Sequence, residues 1–188
     1  MEEHHHAWDE TAAERLFSRD RESIEDTSAF KSIFGIKKMV IVDLGCGPGF
    51  YSVKLEPFAS VLYCIDSSKA MLSAARNNVH GKAVRFIEAD SSDTMLPDSS
   101  ADAVFMANSF HDMDKAGTSA EVIRILKPSS MIVIIDWKKA DRNSNVERRG
   151  PPESLRMSEE EYLSWFPGFR IGKRFAVGPE HFGIVLVR

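Results

Sequence analysis

The sequence predicts a single α/β domain in which a mostly parallel β-sheet carries helices on both faces. A β-branched apolar run at 40–42 leads directly into a glycine-rich turn, which is typical of a buried parallel strand followed by a helix. Beyond this turn, apolar runs alternate with helical patterns as far as residue 136. Two further apolar runs flank a turn at 178–180, so a hairpin ends the chain and one strand runs antiparallel to the rest.

The predicted elements follow from the apolar periodicity and from helix start and stop signals. Strands are predicted at 40–42, 61–65, 84–89, 101–107, 131–136, 169–177 and 182–187. Helices are predicted at 9–19, 26–34, 69–78, 114–126 and 158–166, together with a short helix that ends before Pro57. Thr27 or Ser28 suits the start of the second helix, and Gly35 suits its end. With 188 residues, the chain is long enough for one domain with a substantial core.

The glycine-rich turn after the first strand is the strongest chemical signal in the sequence. Gly45, Gly47 and Gly49 alternate along the turn, and Asp43 lies two residues before the first of them. Glycines allow a tight turn whose N–H groups face a ligand, with no side chain in the way. The dinucleotide fingerprint G-x-G-x-x-G does not fit, because its third glycine would fall at Phe50. Glycine-rich turns are also common outside binding sites, so the motif needs support from the rest of the chain.

The segment VDLGCGPG resembles the cofactor loop of class I S-adenosylmethionine-dependent methyltransferases. The resemblance implies that the loop backbone from Gly45 through Cys46 and Gly47 to Gly49 holds the methionine part of S-adenosylmethionine. It also implies that Asp43 helps to bind the amino group. The fold expected from this family is Rossmann-like, with a seven-stranded, mostly parallel sheet and a carboxyl-terminal antiparallel hairpin.

Other segments resemble a smaller group related to the methyltransferases of ubiquinone and menaquinone biosynthesis, whose members often act on small molecules. These segments are the first helix, A-N-S-F-H-D-M after the fourth strand, I-D-W-K-K, and G-P-P-E-S-L-R before the last helix. In the segment that resembles the family's L-K-P-G-G turn, two serines replace the glycines. The resemblance implies a small-molecule methyl acceptor. It also divides the chain into an N-terminal helical segment that covers the active site, at 1–35, and a cofactor-binding domain, at 36–188.

Asp66 ends the second predicted strand and is the candidate ligand for the ribose of the cofactor. It lies 21 residues after Gly45, close to the interval of about 20 residues expected for a ribose-binding carboxylate. An ionised carboxylate can accept hydrogen bonds from both ribose hydroxyls. The alternative is that Asp66 caps the helix that Ser67 and Ser68 introduce. The glycine turn upstream favours the ribose interpretation, with Ser67 beside it.

Polar residues after the third and fourth strands complete the predicted cofactor site. In the resembling family an acidic or polar residue after the third strand binds the adenine amino group, and Asp90 and Ser91 occupy this place. Asn108 follows the fourth strand and is assigned to the same site. The alternative for Asp90 is an ordinary polar boundary between strand and loop, and it carries more weight here than the alternative for Asp66, because the local pattern is less distinctive.

His111 is the candidate general base, should the acceptor have to lose a proton. It lies just beyond the fourth strand and titrates near neutral pH. The sulfonium of the cofactor already makes its methyl group electrophilic, so alignment and exclusion of water can suffice for transfer. His111 then simply lines the pocket or caps the next helix, and this alternative stays open.

The composition argues against several other kinds of partner. A net charge of −4 and a pI near 5.9 disfavour a large nucleic-acid surface. No apolar run approaches the roughly 20 residues that span a membrane, and the amino terminus lacks the apolar core of a signal peptide. Neither Cys46 nor Cys64 is placed for a structural disulfide, so the sequence predicts a reducing cytoplasm.

Two segments leave their role open. The run from His4 to His6 does not define a closed metal site, and a solvated tail or a vector-derived remnant is the favoured explanation, so no metal is predicted. The segment 137–157 carries six basic and three acidic residues, which could serve an anionic substrate, but a solvated loop is the commoner explanation.

Two other functions remain compatible with these motifs. One is a module that binds S-adenosylmethionine or S-adenosylhomocysteine but has lost catalysis. The other is an NAD-dependent oxidoreductase, which Phe50 at the third glycine position disfavours. The sequence carries no signal for the identity of the methyl acceptor or for the oligomeric state.

Overall fold

A central β-sheet organises the protein. The structure is a computed structural model that describes residues 9–17, 25–139 and 150–188. Among these residues the strands are β1 (Met39–Leu44), β2 (Ala59–Asp66), β3 (Val84–Glu88), β4 (Ala101–Ala107), β5 (Leu126–Trp137), β6 (Arg170–Phe175) and β7 (His181–Val187). They form one seven-stranded sheet in the order β3-β2-β1-β4-β5-β7-β6.

Strand directions confirm the predicted mixture of parallel and antiparallel pairing. The neighbours from β3 through β5 all pair in parallel, whereas β7 runs antiparallel to both β5 and β6. The terminal hairpin therefore inserts β7 between two strands that share the direction of the sheet. Its register places His181 opposite Trp137, at the end where β5 finishes.

Helices pack on both faces of the sheet, as the sequence predicts. In the described ranges they are α1 (Glu10–Leu16), α2 (Phe30–Phe34), α3 (Phe50–Leu55), α4 (Lys69–Asn78), α5 (Lys115–Ile125) and α6 (Glu159–Ser164). Short 3-10 turns lie at Glu56–Phe58, Phe110–Asp112 and Glu153–Leu155. No helix among the described residues combines the length and the apolar character needed to cross a bilayer.

Most predicted helix ends are confirmed by their capping contacts. Asp114 accepts a hydrogen bond from the N–H of Gly117 at the start of α5. Ser158 forms the predicted capping box with Glu161 at the start of α6. Gly35 ends α2 with a φ of 68°. The predicted extension of the first helix to residue 19 lies partly outside the described residues.

Two predicted boundaries are wrong. The second helix begins at Phe30 and not near residue 26, because the Asp26 carboxylate accepts hydrogen bonds from both the N–H and the hydroxyl of Ser28. This local turn competes with the helix. Strand β5 begins five residues before the predicted start, because Leu126 already pairs with Ala101 of β4.

The core consists of two apolar layers, one on each face of the sheet. Alternating side chains of the central strands supply both, since Ile41 belongs to one layer and Val42 to the other. Aromatic rings from α2 and α3 cover one face, and side chains from α5 and α6 cover the other. Burial on both faces explains why the central strands are apolar along nearly their whole length.

The parallel strands all finish at one edge of the sheet, and this carboxyl edge holds the candidate site. Strands β1, β2, β4 and β5 end there at Leu44, Asp66, Ala107 and Trp137. The chain passes from β1 outward to β2 on one side, and from β4 outward to β5 on the other. A crevice therefore opens between β1 and β4, where open α/β sheets bind their ligands.

Candidate active site

The glycine loop after β1 has the conformation that its sequence predicts. Gly45, Gly47 and Gly49 have φ angles of 73°, 54° and 90°, in the left-handed region that favours glycine. The N–H groups of Gly45 and Cys46 both donate to the carbonyl of Ile65, at 2.8 and 3.0 Å. The loop is thus fixed to the end of β2.

The three glycines of this loop differ in what surrounds them: two are packed against by the protein and one borders open space. A Cβ atom on Gly45 would lie 2.7 Å from Met113 Cε, and one on Gly49 would lie 2.7 Å from Val79 Cγ2. These two positions need glycine because the surrounding protein is packed against them. At Gly47 no atom lies within 4 Å of a built Cβ, so this glycine borders open space. The open space is the place where a ligand can approach the loop backbone.

Asp66 links the glycine loop to the end of β2. One carboxylate oxygen accepts a hydrogen bond from Gly47 N–H at 2.8 Å, and the other accepts from Ser68 N–H at 2.9 Å. Burial raises the pKa of Asp66, while the two N–H donors act in the opposite direction. Each oxygen keeps acceptor capacity for one further donor. The N-cap of α4 is Ser68, whose hydroxyl accepts from Met71 N–H, so Asp66 is not the helix cap.

Asp43 and Cys46 lie beneath and within the loop. Asp43 is buried and accepts a hydrogen bond from the Ser52 hydroxyl at 2.5 Å, which ties the strand to α3. A hydrogen bond with Cys64 and burial raise the pKa of the Cys46 thiol well above its usual range. Cys46 is therefore a neutral thiol at physiological pH. Ser67 lies exposed beside Asp66.

Asp90 and Ser91 follow β3 at the outer side of the edge. Asp90 is exposed, and one of its oxygens accepts hydrogen bonds from the hydroxyl and the N–H of Ser92 at 2.6 and 2.8 Å. These bonds lower the pKa of Asp90. The Ser91 hydroxyl lies 2.7 Å from the hydroxyl of Thr118 in α5. Asp90 thus presents an ionised carboxylate at the surface, whereas Ser91 is engaged with the neighbouring helix.

His111 is buried between two carboxylates beyond β4. Its Nδ1 lies 3.1 Å from both oxygens of Asp136, and its Nε2 lies 3.4 Å from Asp112 Oδ2. The Tyr162 hydroxyl donates to the same Asp136 carboxylate. Burial alone would lower the pKa of His111, but Asp112 and Asp136 overcome it and raise the pKa to about 9. His111 is consequently a cation at neutral pH.

A second polar cluster surrounds the buried carboxylate of Glu25. Tyr51 in α3 donates its hydroxyl to Glu25, and Asn108 Nδ2 donates to Glu25 Oε1 at 3.4 Å. His181 Nε2 lies 4.0 Å from the same oxygen, and its ring packs 4.1 Å from the ring of Trp137. The cluster draws on the N-terminal segment, α3, the loop after β4, β5 and β7. We refer to Glu25, Tyr51, Asn108, Trp137 and His181 as the Glu25 cluster.

Comparison with known proteins identifies the family. The profile of the methyltransferase domain family matches residues 42–134. A crystal structure of a Sulfolobus solfataricus protein, assigned to the type 11 methyltransferases, is 42% identical; the match covers 88% of this chain and 93% of that one, with a TM-score of 0.76. A SAM-dependent methyltransferase from Aquifex aeolicus superposes with a TM-score of 0.81 at 29% identity, covering 96% and 99%. The chain belongs to the S-adenosylmethionine-dependent methyltransferases. Its cofactor is therefore S-adenosylmethionine.

Two curated members of this family are similar over part of their length. Sterol 24-C-methyltransferase erg6 of Aspergillus fumigatus is 32% identical over 127 residues, 61% of this chain and 33% of that protein. Demethylmenaquinone methyltransferase of Thermus thermophilus is 34% identical over 105 residues, 52% and 46% of the two chains. The chain spans only about a third of the first relative and less than half of the second.

The residues at the carboxyl edge fit the cofactor of the family. The open space beside Gly47 leaves the loop backbone accessible, and Asp66 retains acceptor capacity next to it. The structure brings the glycine loop and Asp66 into direct contact, whereas Asp90 and Asn108 lie on separate loops of the same edge. Sequence reasoning missed Glu25, Asp136, Tyr162, Trp137 and His181 as members of polar clusters. The acid that ends the segment I-V-I-I-D could have indicated Asp136.

Proposed function

We propose that the protein transfers the methyl group of S-adenosylmethionine to a small-molecule acceptor. The observation that carries this proposal is the contact between Gly47 N–H and Asp66, at a loop that borders open space. A family member with this loop intact has the parts required to hold the cofactor. The acidic net charge of −4 favours a small acceptor over a nucleic acid.

The proposed cofactor contacts follow the order of the strands. The backbone from Gly45 to Gly49 would hold the methionine part of the cofactor, and Asp43 would help to bind its amino group. Asp66, with Ser67 beside it, would accept hydrogen bonds from the ribose hydroxyls. Asp90 and Ser91 would flank the adenine, and Asn108 would lie next to the reacting end of the cofactor.

The bound cofactor supplies an electrophilic methyl group on a sulfonium sulfur. The chain's own residues would then align the acceptor with this group and exclude water from the crevice. One apolar layer is buried up to the edge and would provide a dry wall, since Leu44 and Phe110 next to the site are buried. The proposed mechanism needs no covalent intermediate with the protein.

The surroundings of His111 favour its structural alternative over the base role. A general base must offer a lone pair, and a histidine that is protonated at neutral pH has none. The two carboxylates around His111 instead favour the imidazolium. We propose that His111 fixes the loop after β4 to Asp136 and thereby shapes the acceptor side of the crevice.

The acceptor class is part of the proposal. The names of the two curated relatives specify a sterol and a demethylmenaquinone, both small molecules. The N-terminal segment would cover the acceptor side, because Glu25 reaches across to β4 and β7. A cytoplasmic location stays a prediction from the two cysteines, which are free and buried.

Two measurements on the purified protein test this function. Titration calorimetry with S-adenosylhomocysteine should give saturable binding, whereas NADH should give none. Incubation with methyl-labelled S-adenosylmethionine and a metabolite panel should then yield a labelled product. Binding without any labelled product would favour the inactive binding module, and absence of binding would remove the proposed function altogether.

A further inference from the structure

A buried glutamate of α5 bonds to the loop between β3 and β4, at residues 89–100. Glu121 is 6% exposed, and its Oε1 accepts hydrogen bonds from the N–H of Thr94 at 2.8 Å and from the hydroxyl of the same residue. Thr94 is completely buried, and its hydroxyl also accepts from the N–H of Leu96 at 3.3 Å. The middle of the β3–β4 loop is thus fixed to the helix through one carboxylate.

Arg124 orients this carboxylate and extends the contact. Its Nε donates to Glu121 Oε2 at 2.7 Å, and its Nη2 donates both to Glu121 Oε1 and to the carbonyl of Leu96, each at 2.8 Å. Burial alone would raise the pKa of Glu121, but Arg124 and Thr94 outweigh burial and lower the pKa to about 2. Glu121 is therefore ionised at neutral pH, and charge-assisted bonds of this kind are the stronger ones.

The same side of α5 contacts the start of the loop, where the adenine contacts are proposed. The Ser91 hydroxyl lies 2.7 Å from the hydroxyl of Thr118, and Thr118 precedes Glu121 by three residues, on one face of the helix. A Cβ atom built on Gly117 would lie 2.8 Å from Ser92 Cβ, so the helix packs directly against the loop. Helix α5 therefore holds the loop at its start as well as at its middle.

The loop conformation that these contacts hold is a strained one. Met95 has a φ of 60°, in the left-handed region that disfavours residues with a side chain. Met95 is 66% exposed, so packing of its own side chain does not explain this conformation. The bonds on either side of it, at Thr94 and Leu96, supply the restraint. Strained backbone persists only where the surrounding contacts impose it.

We propose that Glu121 is a positioning residue for the cofactor: through Thr94 it keeps the β3–β4 loop in the shape that binds the adenine. Asp90 and Ser91, at the start of this loop, then lie where the proposed contacts need them. The inference rests on the proposed function and adds to it a helix that supplies none of the proposed contacts. Without the bond the loop would adopt the binding shape only part of the time, and the apparent affinity would fall by that fraction.

Two ligands that differ in the base test the inference on the full chain. S-ribosylhomocysteine keeps the ribose and homocysteine parts of S-adenosylhomocysteine but has no base to contact the loop. Glu121→Ala should bind S-adenosylhomocysteine about tenfold more weakly, as expected if the loop has the binding shape about a tenth of the time, and S-ribosylhomocysteine within about twofold of the wild type. Calorimetry measures the first ligand and NMR titration the second. Equal losses for both ligands, or no loss for either, would overturn the proposal.

Variants of Thr94 test the route from Glu121 to the loop. Thr94→Val keeps the shape but loses the hydroxyl that donates to Glu121, so S-adenosylhomocysteine should bind about threefold more weakly. Thr94→Ser keeps the hydroxyl and should keep the wild-type affinity within about twofold. Wild-type affinity in Thr94→Val, or an equal loss in both variants, would overturn the proposal. This pair decides the question also where Glu121→Ala does not fold.

A control variant on α6 removes a similar set of bonds. Glu161 accepts from the N–H of Ser158 and forms an ion pair with Lys139. Glu161→Ala should keep the wild-type affinity for S-adenosylhomocysteine within about twofold, because α6 supplies none of the proposed cofactor contacts. Equal losses in Glu161→Ala and Glu121→Ala would assign the effect to helix stability and overturn the inference. Failure of the wild type itself to bind S-adenosylhomocysteine would instead remove the function on which the inference rests.

Discussion

The two halves of the carboxyl edge are held by different kinds of contact. On the half formed by β1 and β2, the key bond joins a main-chain N–H group of Gly47 to Asp66. On the half formed by β4, β5 and β7, side chains meet side chains, as in the pair of His111 and Asp136. A main-chain donor is present whatever the sequence, whereas a side-chain pair changes with each substitution. We call the first half, where we propose the cofactor, the cofactor half, and the second, where we propose the acceptor, the acceptor half.

Among the tests of this contrast, removal of the contact between His111 and Asp136 should have the largest effect. His111→Phe removes the cation that faces the buried carboxylate of Asp136, and the free energy of unfolding should fall by about 3–5 kcal/mol in urea denaturation. The triple variant His111→Phe/Asp136→Leu/Tyr162→Phe should recover most of this loss, because neither a buried charge nor a Tyr162 hydroxyl without its acceptor remains. Equal losses in the single and the triple variant would show that the ion pair is not the source.

The same pair predicts how stability depends on pH. The pKa of His111 rises from 6.5 to about 9 on folding, so its contribution is fully present below pH 6.5 and is lost as the pH rises through 9. The free energy of unfolding should therefore fall by about 3 kcal/mol over this interval. Denaturation at a series of pH values measures this slope. His111→Gln provides the comparison, since a neutral amide should largely remove it.

Asp66 provides the matching test on the cofactor half. Asp66→Ala should weaken S-adenosylhomocysteine binding by about 100-fold, because hydrogen bonds to a carboxylate are among the stronger ones. Asp102→Ala is a matched control. Asp102 also accepts a main-chain N–H, from Val40 at 2.8 Å, but it lies at the opposite edge of the sheet. Comparable losses of affinity in both variants would contradict the assignment of Asp66 to the ribose.

The same contrast explains what could be predicted from the sequence. The glycine turn and its place beside Asp66 were predictable because the signals are local: Gly47 and Asp66 are separated by only 19 residues, within one strand–turn–helix–strand unit. The mostly parallel seven-stranded sheet and the antiparallel hairpin were likewise predicted, and the structure confirms them. Backbone conformation at a glycine turn depends mainly on the glycines themselves, so a short motif suffices.

The acceptor half could not be predicted in the same way. Asn108 and Glu25 are 83 residues apart, and His111 meets Asp136 across 25 residues. Only the strand register of the folded sheet brings these side chains together. The prediction of His111 as a base illustrates the gap, because its titration depends on two carboxylates whose proximity no local pattern encodes. Glu25, in the N-terminal segment, carries no motif at all.

Alanine variants of Gly47 and Gly168 distinguish two effects: the loss of space for the ligand and the strain in the backbone. Both have a positive φ, 54° and 84°, and neither has an atom within 4 Å of a built Cβ. Alanine at either position should therefore cost a similar backbone strain of about 1–2 kcal/mol. Only Gly47→Ala should weaken S-adenosylhomocysteine binding, by about tenfold or more, since its methyl group occupies the space of the ligand. Calorimetry of both variants measures the difference, and equal affinities would place the cofactor elsewhere.

Asp90 should give the smallest effect, because its carboxylate is exposed and water competes for its oxygens. Asp90→Ala is expected to weaken S-adenosylhomocysteine binding by about threefold, the range of a solvent-exposed hydrogen bond. Asp93→Ala, on the same exposed turn, should leave the affinity unchanged. Binding affinity is measured here and not stability, because Asp90→Ala also removes the bonds to Ser92 and so loosens the turn. An equal loss of affinity in Asp90→Ala and Asp66→Ala would contradict this expectation. The adenine would then have to bury the Asp90 carboxylate on binding, and the residues after β3 would contribute to affinity as strongly as those after β2.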